Sequence, residues 1–213
     1  MTNSATNSKP YDAVLCDLDN VIRFYDTARV SELEASAGLV PGTTSAVAFA
    51  PALDGPLLLG LTTPEQWVLA VAAELAKDGR LSPARADELA RAFAGSPFSA
   101  DATVVAMLRR VRASGTPLVL VTNATLDLED DLEALGLTDL ADHVVSSARV
   151  GVAKPDREIY EIAAGRAGAA VDRCLFIDDR LENIEAAVAL GMTGVHYREP
   201  ADLHEPLAFA LAR

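Results

Sequence analysis

The stretch YDAVLCDLDNVIRFYD, Tyr11 to Asp26, decides the fold. Its apolar run Ala13–Cys16 ends abruptly in Asp17, and one apolar residue later come Asp19 and Asn20. A short apolar run without polar alternation reads as a strand covered on both faces. Two neighbouring carboxylates at the end of such a strand repel each other, and burial makes each one costlier. They serve a metal, a proton transfer, a nucleophile or only solubility, and the rest of the chain has to choose among these.

Working outward, similar runs recur at Leu118–Thr122, His143–Ser146, Cys174–Ile177 and Thr193–Tyr197. Helical patterns lie between most of them: DATVVAMLRRVRAS before Gly115, LDLEDDLEALG ending at Gly136, DREIYEIAAGRAG after Pro155, and RLENIEAAVALG ending at Gly191. Glycine just past a last turn is a common helix stop. Strand alternating with helix predicts an α/β, doubly wound parallel sheet. Between Phe24 and Gly95 the alternation breaks, and helical signals stand without a convincing strand. Thr63, Pro64 and Gln66 form a capping-box pattern, and Ser82 with Pro83 repeats the start signal. The Pro/Gly-punctuated segment PGTTSAVAFAPALDGPLLLG holds one short helix in this reading. The expected organisation is a tail over 1–10, a core of 11–23 and 96–213, and an inserted helical unit over 24–95.

The chain has 213 residues, half of them hydrophobic, enough for one large domain or a core with an insertion. Its formal net charge of −13 argues against nucleic acid or an anionic membrane as partner, since both need basic patches. It does not exclude an anionic small molecule, because a metal, a lysine and helix N-termini can reverse the potential inside one pocket. Cys16 and Cys174 both sit in strand-like runs and read as buried free thiols. No run approaches the roughly 18 apolar residues of a membrane span. The opening MTNSATNSKP reads as a disordered tail without a hydrophobic leader, which makes the cytoplasm the expected location. A monomer or weak homodimer is expected.

The polar residues fall at the strand ends. Asp17 and Asp19 follow the first strand, Thr122 and Asn123 end the second, Lys154 precedes a helix after the third, and Asp178 and Asp179 end the fourth. The carboxyl edge of an open parallel sheet is where ligands bind. Each pair alone is an ordinary turn or cap; the ordered set is not.

This ordered set resembles the haloacid dehalogenase superfamily, and its phosphatase branch in particular, over nearly the whole chain after the tail. The segments ARVGVAKPDREIY and IDDRLENIEAAVALGM carry the likeness further, toward small members with a helical cap inserted after the first strand. The resemblance implies a Rossmann-like sheet of order 5-4-1-2-3 and Mg²⁺-dependent hydrolysis of a small phosphorylated metabolite, with a sugar phosphate favoured. It implies that Asp17 attacks phosphorus and that Asp19 protonates the leaving alcohol and then activates water. It further implies that Asp17, the Asp19 main-chain carbonyl and Asp179 hold the metal, with Asp178 a second candidate in an outer position. Lys154 would neutralise charge, and Thr122 and the Asn123 backbone would bind phosphate oxygens. Two departures stand out. Asn20-Val21 replaces the frequent Gly-Thr, although Asn tolerates the left-handed backbone region. Asn183 stands where many members have another acid.

Other residues read plainly. His143, His196 and His204 lack metal-ligand spacing. Trp67 lies on a helical apolar stripe and belongs to the core of the insertion. Arg23 either reaches a substrate anion or faces solvent, Arg180 is structural, and the acidic run Leu128–Asp131 is a solvated helix start. A phosphomutase shares all the core motifs, a halide-cleaving enzyme needs no second acid such as Asp19, and a non-catalytic phospho-ligand module would be expected to lose a motif.

Overall fold

The computed structural model describes residues 9–211; the expected tail lies almost wholly outside them. The central sheet is built from β1 (Ala13–Cys16), β4 (Leu118–Thr122), β5 (His143–Ser146), β6 (Cys174–Asp178) and β7 (Thr193–His196), with β2 (Arg23–Tyr25) and β3 (Phe98–Ala100) forming a separate ribbon. The sheet runs β5-β4-β1-β6-β7 with every pairing parallel. Numbered among themselves, the sheet strands read 5-4-1-2-3 from the β7 edge, as the resemblance implied.

The apolar runs explain why both faces of the sheet are covered. In β1, β4 and β6, alternate residues feed different cores. Val14, Cys16, Leu118, Leu120, Leu175 and Ile177 join the cluster under α6 (Ala102–Ala113), α7 (Leu128–Ala134) and α11 (Ala208–Leu211). Ala13, Leu15, Val119, Val121, Cys174 and Phe176 join the cluster under α9 (Arg157–Ala167) and α10 (Leu181–Ala189). A one-turn helix, α8 (Ser147–Val150), follows β5 directly.

A third core belongs to the inserted helices α1 (Ala28–Ser36), α2 (Thr43–Ala48), α3 (Pro51–Leu58), α4 (Pro64–Ala76) and α5 (Pro83–Ala94). Leu33, Ala48, Leu57, Trp67, Val71 and Leu89 are among its buried members, and Trp67 Nε1 donates to the Ala48 carbonyl. The Thr63–Gln66 capping box forms in both directions, and the Ser82 hydroxyl accepts from the Arg85 N–H. Two details differ from the sequence reading. The Pro/Gly-punctuated segment holds two short helices rather than one, because Pro51 supplies a fresh first helical position after Ala50. The antiparallel ribbon β2–β3 was not foreseen, since a three-residue strand has too few alternations to show a period. Its two strands lead into and out of the helical insertion.

Candidate active site

The loop after β1 is closed by its own backbone. The Ile22 and Arg23 N–H groups both donate to the Leu18 carbonyl, and the Asn20 N–H donates to the Arg23 carbonyl. This closure needs a left-handed residue, and Asn20 takes that role at φ 58°. The turn therefore survives without the usual glycine.

Asp17 is buried at the tip of β1. Its Oδ1 accepts from the Leu18 N–H at 2.7 Å and from Lys154 Nζ at 2.7 Å, while Oδ2 receives no donor among the described residues. Lys154 Nζ also lies 2.7 Å from Asp178 Oδ2. Asp178 has its other partners nearby: Oδ1 accepts from the Arg180 N–H, and Asn183 Nδ2 reaches both oxygens at 3.0 and 3.1 Å. Asp179, half-buried, accepts one bond from Asn20 Nδ2 at 3.1 Å.

Carboxylate oxygens of Asp17, Asp178 and Asp179 all come within 4.8 Å of one another. Formally, three carboxylates face one buried ammonium, which leaves two negative charges uncompensated. Burial pushes the Asp17 carboxyl up to about 7, with Lys154 opposing and Asp178 adding to the rise. Burial raises Asp179 as well, with Asp178 contributing. The Lys154 ammonium is held above its ordinary value: burial acts to lower it, but Asp17 and Asp178 outweigh that. Such an oxygen-only, electron-rich cluster fits a hard divalent cation. Thr122 Oγ1 and Ser146 Oγ, paired across β4 and β5, are both buried without a hydrogen-bond partner. Orphaned donors at the same sheet edge call for an acceptor from a ligand.

The structure thus gathers Asp17, Lys154, Asp178 and Asp179, and places Thr122 on the same edge. Asn123 plays an unforeseen part: its side chain accepts from the Lys154 N–H at 2.8 Å and donates to the Lys154 carbonyl at 2.9 Å, fixing the backbone that carries the ammonium. Asn183 anchors Asp178 instead of supplying another charge. The Arg180 backbone supports Asp178, in line with its structural reading, while its side chain pairs with Glu182.

Arg23 departs from both alternatives drawn from the sequence. It neither meets solvent nor stands free for an anion; it is buried and spans Asp19 and Asp131. Nε and Nη2 take the two oxygens of Asp19 at 2.6 and 3.0 Å, and Nη1 takes Asp131 Oδ2 at 2.6 Å. Asp131 is therefore not simply part of a solvated helix start. The Asp19–Arg23 spacing was visible in the sequence; Asp131 lies 108 residues from Arg23, and no local pattern announces it.

The family model for haloacid dehalogenase-like hydrolases matches residues 11–191. The chain is 30% identical to the phosphatase MT3486 of Mycobacterium tuberculosis over 187 residues, covering 84% of each protein. It is 35% identical over 97 residues to the sesquiterpene phosphatase astK of Aspergillus oryzae, where the match takes in 45% of this chain and only half of that protein. Among solved structures, the HAD family enzyme BT-2542 of Bacteroides thetaiotaomicron superposes with a TM-score of 0.70 at 19% identity, over 93% of this chain and 98% of that one. With the family match spanning most of the chain and the acidic sheet edge in place, this protein belongs to the haloacid dehalogenase-like hydrolases.

Proposed function

We propose that the protein hydrolyses a small phosphate monoester through an aspartyl-phosphate formed on Asp17. The observation that carries this reading is the Asp17 carboxylate itself: one oxygen is bound by Lys154 and the Leu18 N–H, and the other is left without a protein donor at the sheet edge. A carboxylate held by one oxygen and open at the other is arranged to attack.

In the first step an Asp17 oxygen forms a bond to phosphorus and the bond from phosphorus to the leaving oxygen breaks. Asp19 gives its proton to that leaving alkoxide. In the second step Asp19 takes a proton from water, whose oxygen bonds to phosphorus as the acyl-phosphate bond breaks, releasing phosphate and restoring the Asp17 carboxylate. Lys154 stabilises charge on the transferring group, and Thr122 Oγ1 with the Asn123 backbone bind its oxygens. Asp17, Asp179 and the Asp19 main-chain carbonyl would hold Mg²⁺, which when bound neutralises phosphate charge and makes its approach to the acids favourable. Asp178 suits an outer position, because both its oxygens already accept from Lys154 or Asn183. BT-2542, which shares this fold, has been solved with magnesium and inorganic phosphate.

Asp19 favours phosphate transfer over halide cleavage, which needs no second acid. The reading carries a small phosphorylated metabolite, a sugar phosphate ahead of others, as substrate, with the inserted helices, taken as a cap over 24–95, meeting the leaving group. The free thiols Cys16 and Cys174 suit a reducing compartment such as the cytoplasm, and no helix among the described residues is long and apolar enough to cross a membrane. The test is phosphate release from an activated aryl phosphate, with Mg²⁺ and with chelator, wild type beside Asp17→Asn. Mg²⁺-dependent release that disappears in the variant is expected; equal release by the variant would overturn the assignment.

A further inference from the structure

Arg23 is, with Lys154, one of two buried cations among the described residues, and the mechanism above does not use it. Its guanidinium fork takes both oxygens of Asp19 and extends its third nitrogen to Asp131 on α7. The rings of Tyr25 and Phe98 lie 5.0 and 5.4 Å from its central carbon, so the β2–β3 ribbon frames it. A buried ion cluster is weak evidence for stability, since well-packed apolar residues often do as well or better. What a bidentate fork supplies that an apolar residue cannot is a fixed carboxylate orientation.

We propose that Arg23 is a positioning residue that acts through Asp19, fixing the rotamer of the acid/base carboxyl in its ionised and its protonated form, the proton of the acid form occupying a lone pair that the fork leaves open, with Asp131 as the anchor that fixes Arg23 in turn. The proposal rests on the phosphatase reading and deepens it. The closed loop from Leu18 to Arg23 sets the spacing: its backbone bonds bring residues 19 and 23 side by side although neither lies in a helix. Asp131 arrives from the first turn of α7, so the Asp19 orientation depends on the core helix as well as on the loop. The strand carrying Arg23 leads directly into the inserted helices.

The fork geometry makes Arg23→Lys the informative variant, because it keeps the charge and loses the two-point grip. The experiment measures kcat/KM of wild type, Arg23→Lys and Asp131→Asn on two esters, an activated aryl phosphate and a simple alkyl phosphate, together with inhibition by inorganic phosphate and thermal midpoints. Alkyl oxygen leaves only with a proton; activated aryl oxygen leaves without one. Misplacing the acid therefore lowers the alkyl rate by about 10–100-fold, with the aryl rate and phosphate inhibition changed by less than about 5-fold. Asp131→Asn gives the same selective loss at smaller size. An equal loss on both esters that follows a lowered thermal midpoint, or no loss on either, would overturn the proposal. If wild type hydrolyses neither ester, the phosphatase reading itself fails, and this proposal falls with it; an active wild type with an unchanged alkyl-to-aryl ratio sinks this proposal alone.

Discussion

Lys154 and Arg23 each sit between two carboxylates, and the two clusters differ in their burial and in the shape of the cation. Lys154 lies between Asp17 and Asp178, whose side chains are 7% and 0% exposed. Arg23 lies between Asp19 and Asp131, at 31% and 28%. The ammonium is a compact charge that donates singly to each acid and can turn a bond toward an arriving phosphate oxygen. The guanidinium is a planar fork committed to both oxygens of one acid. Lys154 is thus suited to share charge with a substrate, and Arg23 to hold a neighbour still. The first pair is locked in the core of the fold; the second sits where the inserted helices begin.

The largest break in this comparison is Lys154→Met, which strands two buried carboxylates. We expect loss of turnover by about 10³-fold or more with Mg²⁺ present, and a stability loss of about 3–5 kcal/mol in urea unfolding of the metal-free protein. Arg23→Met also leaves two acids unpaired, but both keep some contact with water. Its expected stability loss is smaller, about 2–3 kcal/mol by the same measurement. A loss equal to that of Lys154→Met would erase the distinction between the two clusters.

Asn123→Ala sharpens the Lys154 side alone. The variant loses both bonds to the Lys154 backbone, and we expect about 1–2 kcal/mol of destabilisation, with phosphate inhibition weakened as the ammonium loses its fixed origin. Titration sharpens it further. Burial raises Asp17 from 3.8 to about 7 in the folded, metal-free protein. Between those values the folded state binds more protons than the unfolded one, so this group's contribution to stability is fully present below about pH 4 and is lost as pH rises through about 7. Mg²⁺ competes with that proton. Its stabilisation should therefore be larger at pH 8 than at pH 5.5, by at least about 2–4 °C in thermal midpoint, corresponding to about 1 kcal/mol for a chain of this size. A pH-independent Mg²⁺ effect would place the cation away from Asp17.

The contrast also explains what could be read in the sequence. The sheet was legible because its strands are continuous apolar runs; Asp17 follows β1 and Asp179 follows β6 directly, Asp178 ends β6, and Lys154 comes after β5 and α8. Parallel topology then forces those ends together. Asp17, Lys154, Asp178 and Asp179 needed only that rule. Asn20 announced its left-handed turn by residue type. Asn123, Asn183 and Asp131 were different, because their contacts with Lys154, Asp178 and Arg23 depend on side-chain direction, which strand order does not determine. The ribbon escaped notice because three residues show no period, and Arg23 was misjudged because its second partner comes from α7. Within the insertion, α4 and α5 were readable from their caps at Thr63 and Ser82, while the split of one proline-rich segment into α2 and α3 was not.

The most direct measurement of the central claim is chemical trapping of the intermediate. Wild type mixed with an activated aryl phosphate and Mg²⁺ is quenched in acid, reduced with borohydride and digested for peptide mass spectrometry. Borohydride reduces an aspartyl-phosphate to homoserine, and the account predicts that conversion at position 17, dependent on substrate and absent at Asp19, Asp178 and Asp179. Turnover without any such conversion at Asp17, or conversion at another acid, would contradict it.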